Sequence, residues 1–422
     1  MTVGTDHDLG DVDLTRVDLL DPGFHASEGQ HRVWAALRSR APLHRQELPD
    51  GRSVVSVTRY DDACRVLGSP AEFTSERGTL LHQLGRGEVA AGRMLVATDP
   101  PRHTELRRPL ARLFSGRAAE AMTARIEQVV RFHVDRLAQE EPIDLAAEVA
   151  DLPVAVAATL MDLPREDWSD LAAWTAMAAS PDDPGQRVRN AATTLAIAHH
   201  ELFEYFNDHV RRRRRLGGDD LIHHLMTMTA GASRLTQPEV VLNCYSVLLG
   251  ATATTPHAIS GTVLALAQHP DQYRTALRER TVCHALVEEG LRWTSPANGF
   301  LRHAGCDVEI AGGRIARDDA VAVWIGAANR DESAFADASR FDVTRRDNRH
   351  IAFGHGPHYC LGAAFARLTL RAFFDGLLSL ASDLELVGQP VRLQSTFVAG
   401  HRRLMVRARR HPRWIEESPC QT

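Results

Sequence analysis

Apolar residues recur at three- and four-residue spacings along most of the chain, the spacing that places side chains on one face of an α-helix. Alternating strand patterns are short and few. The pattern therefore predicts a mainly α protein with a small β part. The predicted helices include Leu110–Leu137, Leu145–Met161, Ala191–Arg215 and Ala285–Trp293, and the predicted strands are Arg52–Thr58, Val308–Ile310, Ala320–Ile325 and Arg403–Arg407.

One stretch, Val240–Pro270, contains no Asp, Glu or Arg over 31 residues. Length alone would allow it to cross a bilayer. However, Asn243, Ser246, Pro256 and several threonines interrupt it, and a lipid-facing helix rarely collects such residues. We therefore predict one long helix inside the domain, apolar nearly all round because other elements surround it.

The domain organisation follows from length and composition. The 422 residues are 44% hydrophobic and 24% charged, enough for one large core or two ordinary ones. Because no Pro/Gly/Ser-rich linker and no internal repeat divides the chain, we predict one domain over residues 1–422, with a flexible N-terminus over residues 1–20. The first 21 residues carry acids rather than a basic stretch followed by an apolar one, so we expect no secretory signal and a reducing cytoplasm.

The composition also excludes several classes of protein. All 49 basic residues are arginine, because the chain contains no lysine. A phosphate-loop lysine, a Schiff-base lysine and a kinase-type ATP lysine are therefore absent. The net charge of −5 argues against a dedicated nucleic-acid binder, which needs a basic surface to neutralise phosphates.

Six cysteines are scattered without a CxxC motif, which argues against a disulfide framework or a zinc ribbon. They are Cys64, Cys244, Cys283, Cys306, Cys360 and Cys420. Cys360 differs from the other five because two glycines and a proline precede it and a helical pattern follows it. At the N-terminus of that helix, the partial positive charge and free N–H groups are expected to favour thiolate over thiol. We interpret the other five as inert buried residues.

The segment Phe353–Gly362, FGHGPHYCLG, resembles the haem-thiolate signature of cytochrome P450s, Phe-Gly-x-Gly-x-His-x-Cys-x-Gly, at every fixed position. Glu289–Arg292 resembles the Glu-x-x-Arg helix of the family, Asp99–Arg107 resembles its Asp-Pro-Pro-x-His-x-x-Leu-Arg stretch, and Asn329–Phe341 resembles the meander before the cysteine loop. The resemblance covers nearly the whole chain. It implies a cytochrome P450 fold with a single haem domain, of the soluble bacterial type found in actinobacterial natural-product biosynthesis.

The resemblance assigns roles to individual residues. Cys360 is implied as the thiolate ligand of haem b, iron-protoporphyrin IX. Glu289 and Arg292, which share a helix face, are implied to form a structural triad with Arg340; taken alone they would read as an ordinary surface pair. The further cofactor-binding positions are His103, Arg107, Ala251, Arg302, Phe353, Gly354, His358 and Gly362, of which His103, Arg107, Arg302 and His358 would meet the haem propionates.

The distal side of the haem is assigned to the charge-free helix. Gly250 and Ala251 would let the backbone approach bound oxygen, and Thr254 matches the oxygen-activating threonine of the family. Ala253 stands where the family has an acid that relays protons, which leaves the proton route open. One substitute is a water bound at the Thr252 carbonyl, because Pro256 has no N–H to offer it; the other interpretation is that Pro256 only kinks the helix.

The function that the resemblance implies is a monooxygenase that activates O2 and oxidises a small organic, natural-product substrate. Separate ferredoxin and ferredoxin reductase chains would supply electrons at the face near Cys360, where Arg108 and Arg112 could meet an acidic partner. Two alternatives stay open: haem-thiolate chemistry of a non-hydroxylating type (oxidative coupling, nitration, desaturation or peroxide-driven), and a haem-binding protein that is not an enzyme. The pocket walls are predicted to comprise Thr79–Met94, Met177, Leu195, Val247, Thr252, Asn298–Leu301, Phe397 and Val398.

Overall fold

A computed structural model describes residues 11–48, 50–137, 139 and 141–411. Within this part of the chain, helices α1 to α17 are Pro22–His25, Gln30–Arg40, Tyr60–Gly68, Arg102–Leu110, Gly116–Glu120, Thr123–Leu137, Leu145–Glu148, Leu152–Met161, Trp168–Ala179, Ala191–Leu216, Leu221–Thr227, Gln237–Thr252, Thr255–Gln268, Pro270–Arg278, Cys283–Thr294, Ile325–Ala328 and Ala363–Leu380. Strands β1 to β14 are Leu43–Glu47, Ser53–Val57, Phe73–Thr74, Ile143–Asp144, Thr229–Ala230, Ser233–Arg234, Gly299–Ala304, Val308–Ile310, Gly313–Ile315, Ala320–Trp324, Ala381–Leu386, Val391–Arg392, His401–Arg403 and Met405–Arg410.

The largest sheet has the strand order β1-β2-β10-β7-β3, with β2 and β10 parallel and the other pairs antiparallel. The predicted strands Arg52–Thr58, Val308–Ile310 and Ala320–Ile325 are confirmed to within one residue at each end. The predicted Arg403–Arg407 is divided at Leu404 between β13 and β14. Valines and alanines on both faces of β2 and β10 are buried, so this sheet is a packed layer beside the helices.

The helical part holds the largest hydrophobic core. Leu202 and Phe206 of α10, Leu248 of α12, and Phe373 and Phe374 of α17 are all buried in one continuous cluster. Full burial of such a side chain contributes about 1.5–3 kcal/mol. These contacts hold α12 in the middle of the domain, between α10 and α8.

The predicted single helix over Val240–Pro270 is wrong in one respect. The run is divided into α12 and α13, with a turn at Ala253–Thr254. Pro256 is the second residue of α13, a position where the missing N–H and fixed φ of proline are tolerated. Proline divides another predicted helix in the same way, since Leu145–Met161 is interrupted before α8, whose second residue is Pro153. Leu110–Leu137 is likewise divided into the end of α4, α5 and α6.

Two expectations about the termini and the membrane can be compared with the structure. Residues 1–10 of the predicted flexible N-terminus lie outside the described residues. Within residues 11–20, Leu19 is fully buried and its N–H donates to Gln46 Oε1 at 3.2 Å, whereas half of the residues are exposed. No helix in the described ranges is long and apolar enough to cross a membrane.

Candidate active site

The loop before α17 carries Cys360, and its backbone closes on itself through a bond from the Cys360 N–H to the Phe353 carbonyl at 2.8 Å. Gly354 and Gly356 have positive φ, +74° and +71°. A Cβ on Gly356 would lie 2.6 Å from the Gly68 Cα, so only glycine lets the loop pack against α3. The loop thus presents Cys360 three residues before α17 begins, as its glycines predict.

The ionisation of Cys360 differs from the sequence expectation. Burial raises the pKa of its thiol, and this outweighs the Gly362 N–H, Arg107 and Arg367, which all lower it. The helix N-terminus alone therefore does not favour the thiolate, because burial disfavours the charged form of the sulfur. A cation bound to the sulfur would supply the missing stabilisation, since metal coordination deprotonates a thiol outright.

Helix α12 has an open position near its C-terminal end. Its neighbours Leu248 and Thr252 are buried, whereas Gly250 is exposed and a Cβ built on it would meet no atom within 4 Å. Ala251 and Thr254 are half-buried beside it. Gly250 therefore leaves an uncovered stretch of helix where a larger residue would place a side chain.

A set of unpartnered polar groups lies near His358 of the cysteine loop. Arg302 of β7 is only 4% exposed, and its side chain makes one hydrogen bond, from Nη1 to the Leu301 carbonyl at 2.8 Å, with no carboxylate of the described residues within 4 Å. Burial lowers the pKa of Arg302 to about 10, so the guanidinium stays charged. Nε2 of His103 is also buried without a partner. A buried cation and an orphaned imidazole nitrogen are the groups that a propionate carboxylate satisfies.

His103 and His358 lie together, with ring centroids 4.4 Å apart. Burial lowers the pKa of His103 to about 4 and lowers that of His358 as well. Both rings are therefore neutral hydrogen-bonding groups rather than the cations that the sequence suggested. Nε2 of His358 lies 3.2 Å from the Ser75 hydroxyl and 3.9 Å from Asp99, whose carboxylate also accepts from the Ser75 N–H.

Arg107 of α4 donates from Nη2 to the Tyr359 carbonyl, next to the cysteine, and burial lowers its pKa. Phe353 packs its ring beside Tyr359, with centroids 6.2 Å apart. Gly362, directly before α17, has no atom within 4 Å of a Cβ position. Each of these cofactor-binding candidates therefore lies close to the cysteine or lines the space around it.

The structural triad contains Arg345, not Arg340. Glu289 and Arg292 are fully buried and form a two-point ion pair, with both N···O distances 2.8 Å. Arg345 adds a second ion pair to Glu289 at 3.0 Å. The exposed Arg340 contributes only its backbone carbonyl, which accepts from Arg292 at 3.0 Å. Asn348 also donates to Glu289, at 3.1 Å.

The sequence prediction chose Arg340 because family position suggested an arginine in the meander without saying which of several neighbours points inward. Arg292 also donates to the Asn329 and Ala338 carbonyls, and Arg345 to the Ala336 and Asp337 carbonyls. The triad therefore ties α15 to the irregular segment that leads to the cysteine loop.

On the distal side, the Thr254 hydroxyl lies 3.4 Å from the Gly250 carbonyl, at the turn between α12 and α13. Ala253 is 4% exposed and packs in an apolar cluster with Ala179, Leu393 and Val398. A carboxylate at position 253 would enter that cluster rather than water. The alanine at position 253 is therefore consistent with its apolar neighbours, which would not solvate a carboxylate.

Predicted pocket walls fall into two groups. Met177, Leu195, Val247 and Phe397 are half-buried, whereas Val398 is buried; in the 79–94 loop Leu81 and Met94 are buried, but most residues are half-buried or exposed. Two of the polar members have partners inside the protein: the Thr252 hydroxyl donates to the Leu248 carbonyl at 2.8 Å, and Asn298 Nδ2 lies 3.0 Å from His25 Nδ1. Sequence reasoning missed Ser75, Arg345 and the pair Glu288–Arg367, because each acts through a partner distant in the chain.

A half-buried cysteine just before a helix, an open position on a central helix and the buried, unpaired Arg302 beside two neutral imidazoles together indicate a protein that holds a thiolate-ligated, anionic prosthetic group within a helical domain. Known proteins provide an independent comparison. The family model described as cytochrome P450 matches residues 180–380. The chain is 33% identical over 401 residues to cytochrome P450 NovI of Streptomyces niveus, covering 94% of this chain and 97% of that protein. It is 34% identical over 395 residues to cyclomarin C epoxidase CymV of Salinispora arenicola, covering 92% and 99%.

Among solved structures, P450 OxyD, which is involved in the biosynthesis of vancomycin-type antibiotics, matches with a TM-score of 0.83 at 33% identity, covering 94% of this chain and all of that chain. The chain belongs to the cytochrome P450 family. It is an oxidoreductase, a P450 monooxygenase whose cofactor is haem with a cysteine thiolate ligand. The predicted fold class is confirmed, and the non-enzyme alternative is set aside.

Arg302→Gln is expected to weaken haem binding by about 10- to 100-fold, since a charge-assisted hydrogen bond contributes about 1.5–3 kcal/mol. The cofactor-free protein should not lose stability, because the substitution removes a buried charge that has no carboxylate partner. Haem transfer to an apo-myoglobin acceptor measures the first effect and urea unfolding of the apoprotein the second. The exposed Arg317→Gln serves as control, and equal haem loss from both variants would contradict the assignment of Arg302 to a propionate.

Proposed function

We propose that this enzyme is an O2-dependent haem-thiolate monooxygenase that hydroxylates or otherwise oxidises a small natural-product molecule, with Cys360 as the iron ligand. The observation that carries the proposal is the combination of Cys360 on its glycine-rich loop with the buried Arg302, which has no carboxylate partner among the described residues and acts electrostatically on His358 of the same loop. These residues fit haem b at both of its chemically distinct ends, the iron and the propionates.

The protein groups have separate tasks in this proposal. Haem supplies oxygen activation, with electron density pushed toward the iron by the thiolate. Arg302, His103 and His358 would hold the propionates, and Gly250 would keep its position on α12 free of a side chain. Thr254 offers a hydroxyl at the turn between α12 and α13, where it can hold a water or pass a proton. The apolar surroundings of Ala253 exclude water from that side.

Pro256→Ala tests the proton route on the distal side. Pro256 has no N–H for the Thr252 carbonyl, which leaves that oxygen free to bind a water beside Thr254. Restoring the N–H should extend the helix, displace the water and increase peroxide release per NADH consumed. Thr254→Val, expected to have the same direction of effect, is the positive control. Unchanged coupling in Pro256→Ala would show that the proline only shapes the helix.

The substrate class follows from the walls of the pocket. Half-buried Met177, Leu195, Val247 and Phe397 offer apolar surface, and the engaged hydroxyl of Thr252 leaves few polar contacts. Such walls suit a medium-sized, mostly apolar molecule with a few functional groups. The relatives support a natural product, since one is named as an epoxidase of cyclomarin C and another takes part in vancomycin-type antibiotic biosynthesis.

Separate ferredoxin and ferredoxin reductase chains are proposed as the electron source. A groove of about 460 Å³ between α4, α5 and α17 reaches Cys360, and Arg107, Arg367 and Arg371 line it together with Glu120. Arg108 and Arg112 are exposed on the adjoining surface. This mostly cationic rim complements an acidic partner.

A second candidate function is haem-thiolate chemistry that does not insert oxygen, such as oxidative coupling or a peroxide-driven reaction. The observation that favours it is the apolar cluster around Ala253, which leaves no acid at the usual proton-relay position. The two functions differ in their oxidant and in the fate of oxygen.

The deciding experiment is a reduced, carbon-monoxide-bound absorption spectrum, followed by spin-state titration with candidate intermediates and turnover under 18O2. A red-shifted Soret band supports thiolate ligation, and one 18O atom in the product supports monooxygenation. Turnover with peroxide alone, with no label from O2, would favour the second function. An unshifted Soret band in fresh protein would contradict both.

A further inference from the structure

Glu288 lies next to the triad residue Glu289 in the chain, but its carboxylate belongs to a different network. It binds Arg367 of α17 at two points, from Nε and from Nη2, each at 2.7 Å. Both side chains are mostly covered, with 13% and 27% of their surface exposed. This two-point geometry fixes the guanidinium plane as well as its position.

Arg367 uses its remaining surface on the cysteine loop. Its Nη1 donates to the Tyr359 hydroxyl at 3.0 Å, and its guanidinium carbon lies 4.5 Å from the centre of the Phe353 ring. Phe353 and Tyr359 are the residues whose backbone flanks Cys360, through the Cys360 N–H bond to the Phe353 carbonyl and the peptide bond from Tyr359. One arginine therefore contacts both sides of the cysteine loop.

His350 completes the arrangement. Its Nδ1 accepts from the Ala352 N–H at 3.2 Å, so Nε2 carries the proton and donates to Glu288 at 3.2 Å. Burial raises the pKa of Glu288, but Arg367 and His350 lower it further, to about 2. Glu288 is therefore an anion that offsets the charge of Arg367 close to Cys360, and Arg367 in turn lowers the pKa of Cys360.

We propose that Glu288 and Arg367 form a positioning pair that orients the cysteine loop through Phe353 and Tyr359 and sets the net charge felt at the Cys360 sulfur. This inference rests on the proposed role of Cys360 as haem ligand. Neither residue touches the reacting atoms; each acts through the loop. The pair is separate from the Glu289–Arg292–Arg345 triad, which ties α15 to the meander instead.

If the pair sets the charge near Cys360, the two single variants should shift the redox potential in opposite directions, which a purely structural role does not predict. Glu288→Gln leaves the Arg367 charge unbalanced, which stabilises the reduced, more negative state and raises the ferric–ferrous potential of the haem-loaded enzyme. Arg367→Gln leaves the Glu288 anion unbalanced and lowers that potential. The double variant should return close to the wild-type potential, because no net charge has been added.

The experiment is a spectroelectrochemical titration of the haem-loaded full chain for wild type, both single variants and the double variant. Glu385→Gln, which opens the Glu385–Arg407 pair between β11 and β14, is the matched control and should leave the potential unchanged. Shifts of the single variants in the same direction, or no shift in either, would overturn the proposal.

Arg367→Lys separates charge from orientation. Lysine keeps the cation but cannot make the two-point contact or stack on Phe353 in the same way. We expect a near-normal potential with faster conversion of the reduced, carbon-monoxide-bound form to the species with an unshifted Soret band. Two results would contradict this separation of charge from orientation: a redox potential that falls as far as in Arg367→Gln, or an unchanged rate of conversion to the species with the unshifted Soret band. If the wild type itself lacks the red-shifted Soret band, the proposed function fails. If the wild type has that band but the variants have the wild-type redox potential, only this inference is refuted.

Discussion

Cys360→Ser is expected to abolish the red-shifted Soret band of the reduced, carbon-monoxide-bound protein and to abolish monooxygenase turnover. Serine keeps the shape of the side chain but replaces the soft, electron-rich sulfur with a hydroxyl that binds iron weakly and donates less electron density. Absorption spectra of the haem-loaded protein measure the loss directly.

The matched control is Cys306→Ser, because Cys306 is also free and half-buried but lies between β7 and β8, away from the loop. It should keep the red-shifted band. The four other cysteines in the described part of the chain carry no disulfide either, and Cys420 lies outside it. Retention of the band in Cys360→Ser, or its loss in Cys306→Ser, would refute Cys360 as ligand.

Glu289→Gln is expected to lower the free energy of unfolding by about 3–5 kcal/mol, because Arg292 would remain fully buried without a counter-charge. Arg345→Gln should cost about 1–3 kcal/mol, since it removes one charged partner of Glu289 and three bonds to backbone carbonyls. Urea midpoints of the haem-loaded protein provide the measurement.

Arg340→Gln is the informative comparison, because family position suggested Arg340 and the structure assigns the role to Arg345. The exposed Arg340 side chain should change stability by no more than about 0.5 kcal/mol, as its carbonyl is kept. Equal losses in Arg340→Gln and Arg345→Gln would contradict the observed triad.

The extent to which the sequence predicted the site depends on how local each interaction is. The glycines of the 353–362 loop determine the conformation of their own backbone, and Glu289 and Arg292 lie within one turn of a helix. The spacing of these residues along the chain was therefore enough to predict the cysteine loop and the ion pair. Arg345 reaches Glu289 from 56 positions further along the chain. Several arginines in that meander have the same chemistry, and only the path of the backbone selects one of them.

The same distinction applies to the charge states and to the central helix. The sequence indicated that Cys360 precedes a helix, but its raised pKa comes from burial by distant elements. The histidines offered as cations are neutral for the same reason. The sequence predicted α12 and α13 as one helix, because the run of apolar residues continues without interruption from one to the other. Pro256 permits a break between them, and the packing of the surrounding elements fixes where the break lies.

The sequence by itself determined the mainly α class, the cysteine loop, the Glu-x-x-Arg pair and the family, because these depend on short-range spacing and on residue types that have few substitutes. Only the tertiary structure decided which arginine completes the triad, which groups are charged, where the central helix breaks and that Arg367, paired with Glu288, contacts the cysteine loop. Those properties depend on burial and on contacts between residues far apart in the chain, and no local pattern of amino acids encodes them.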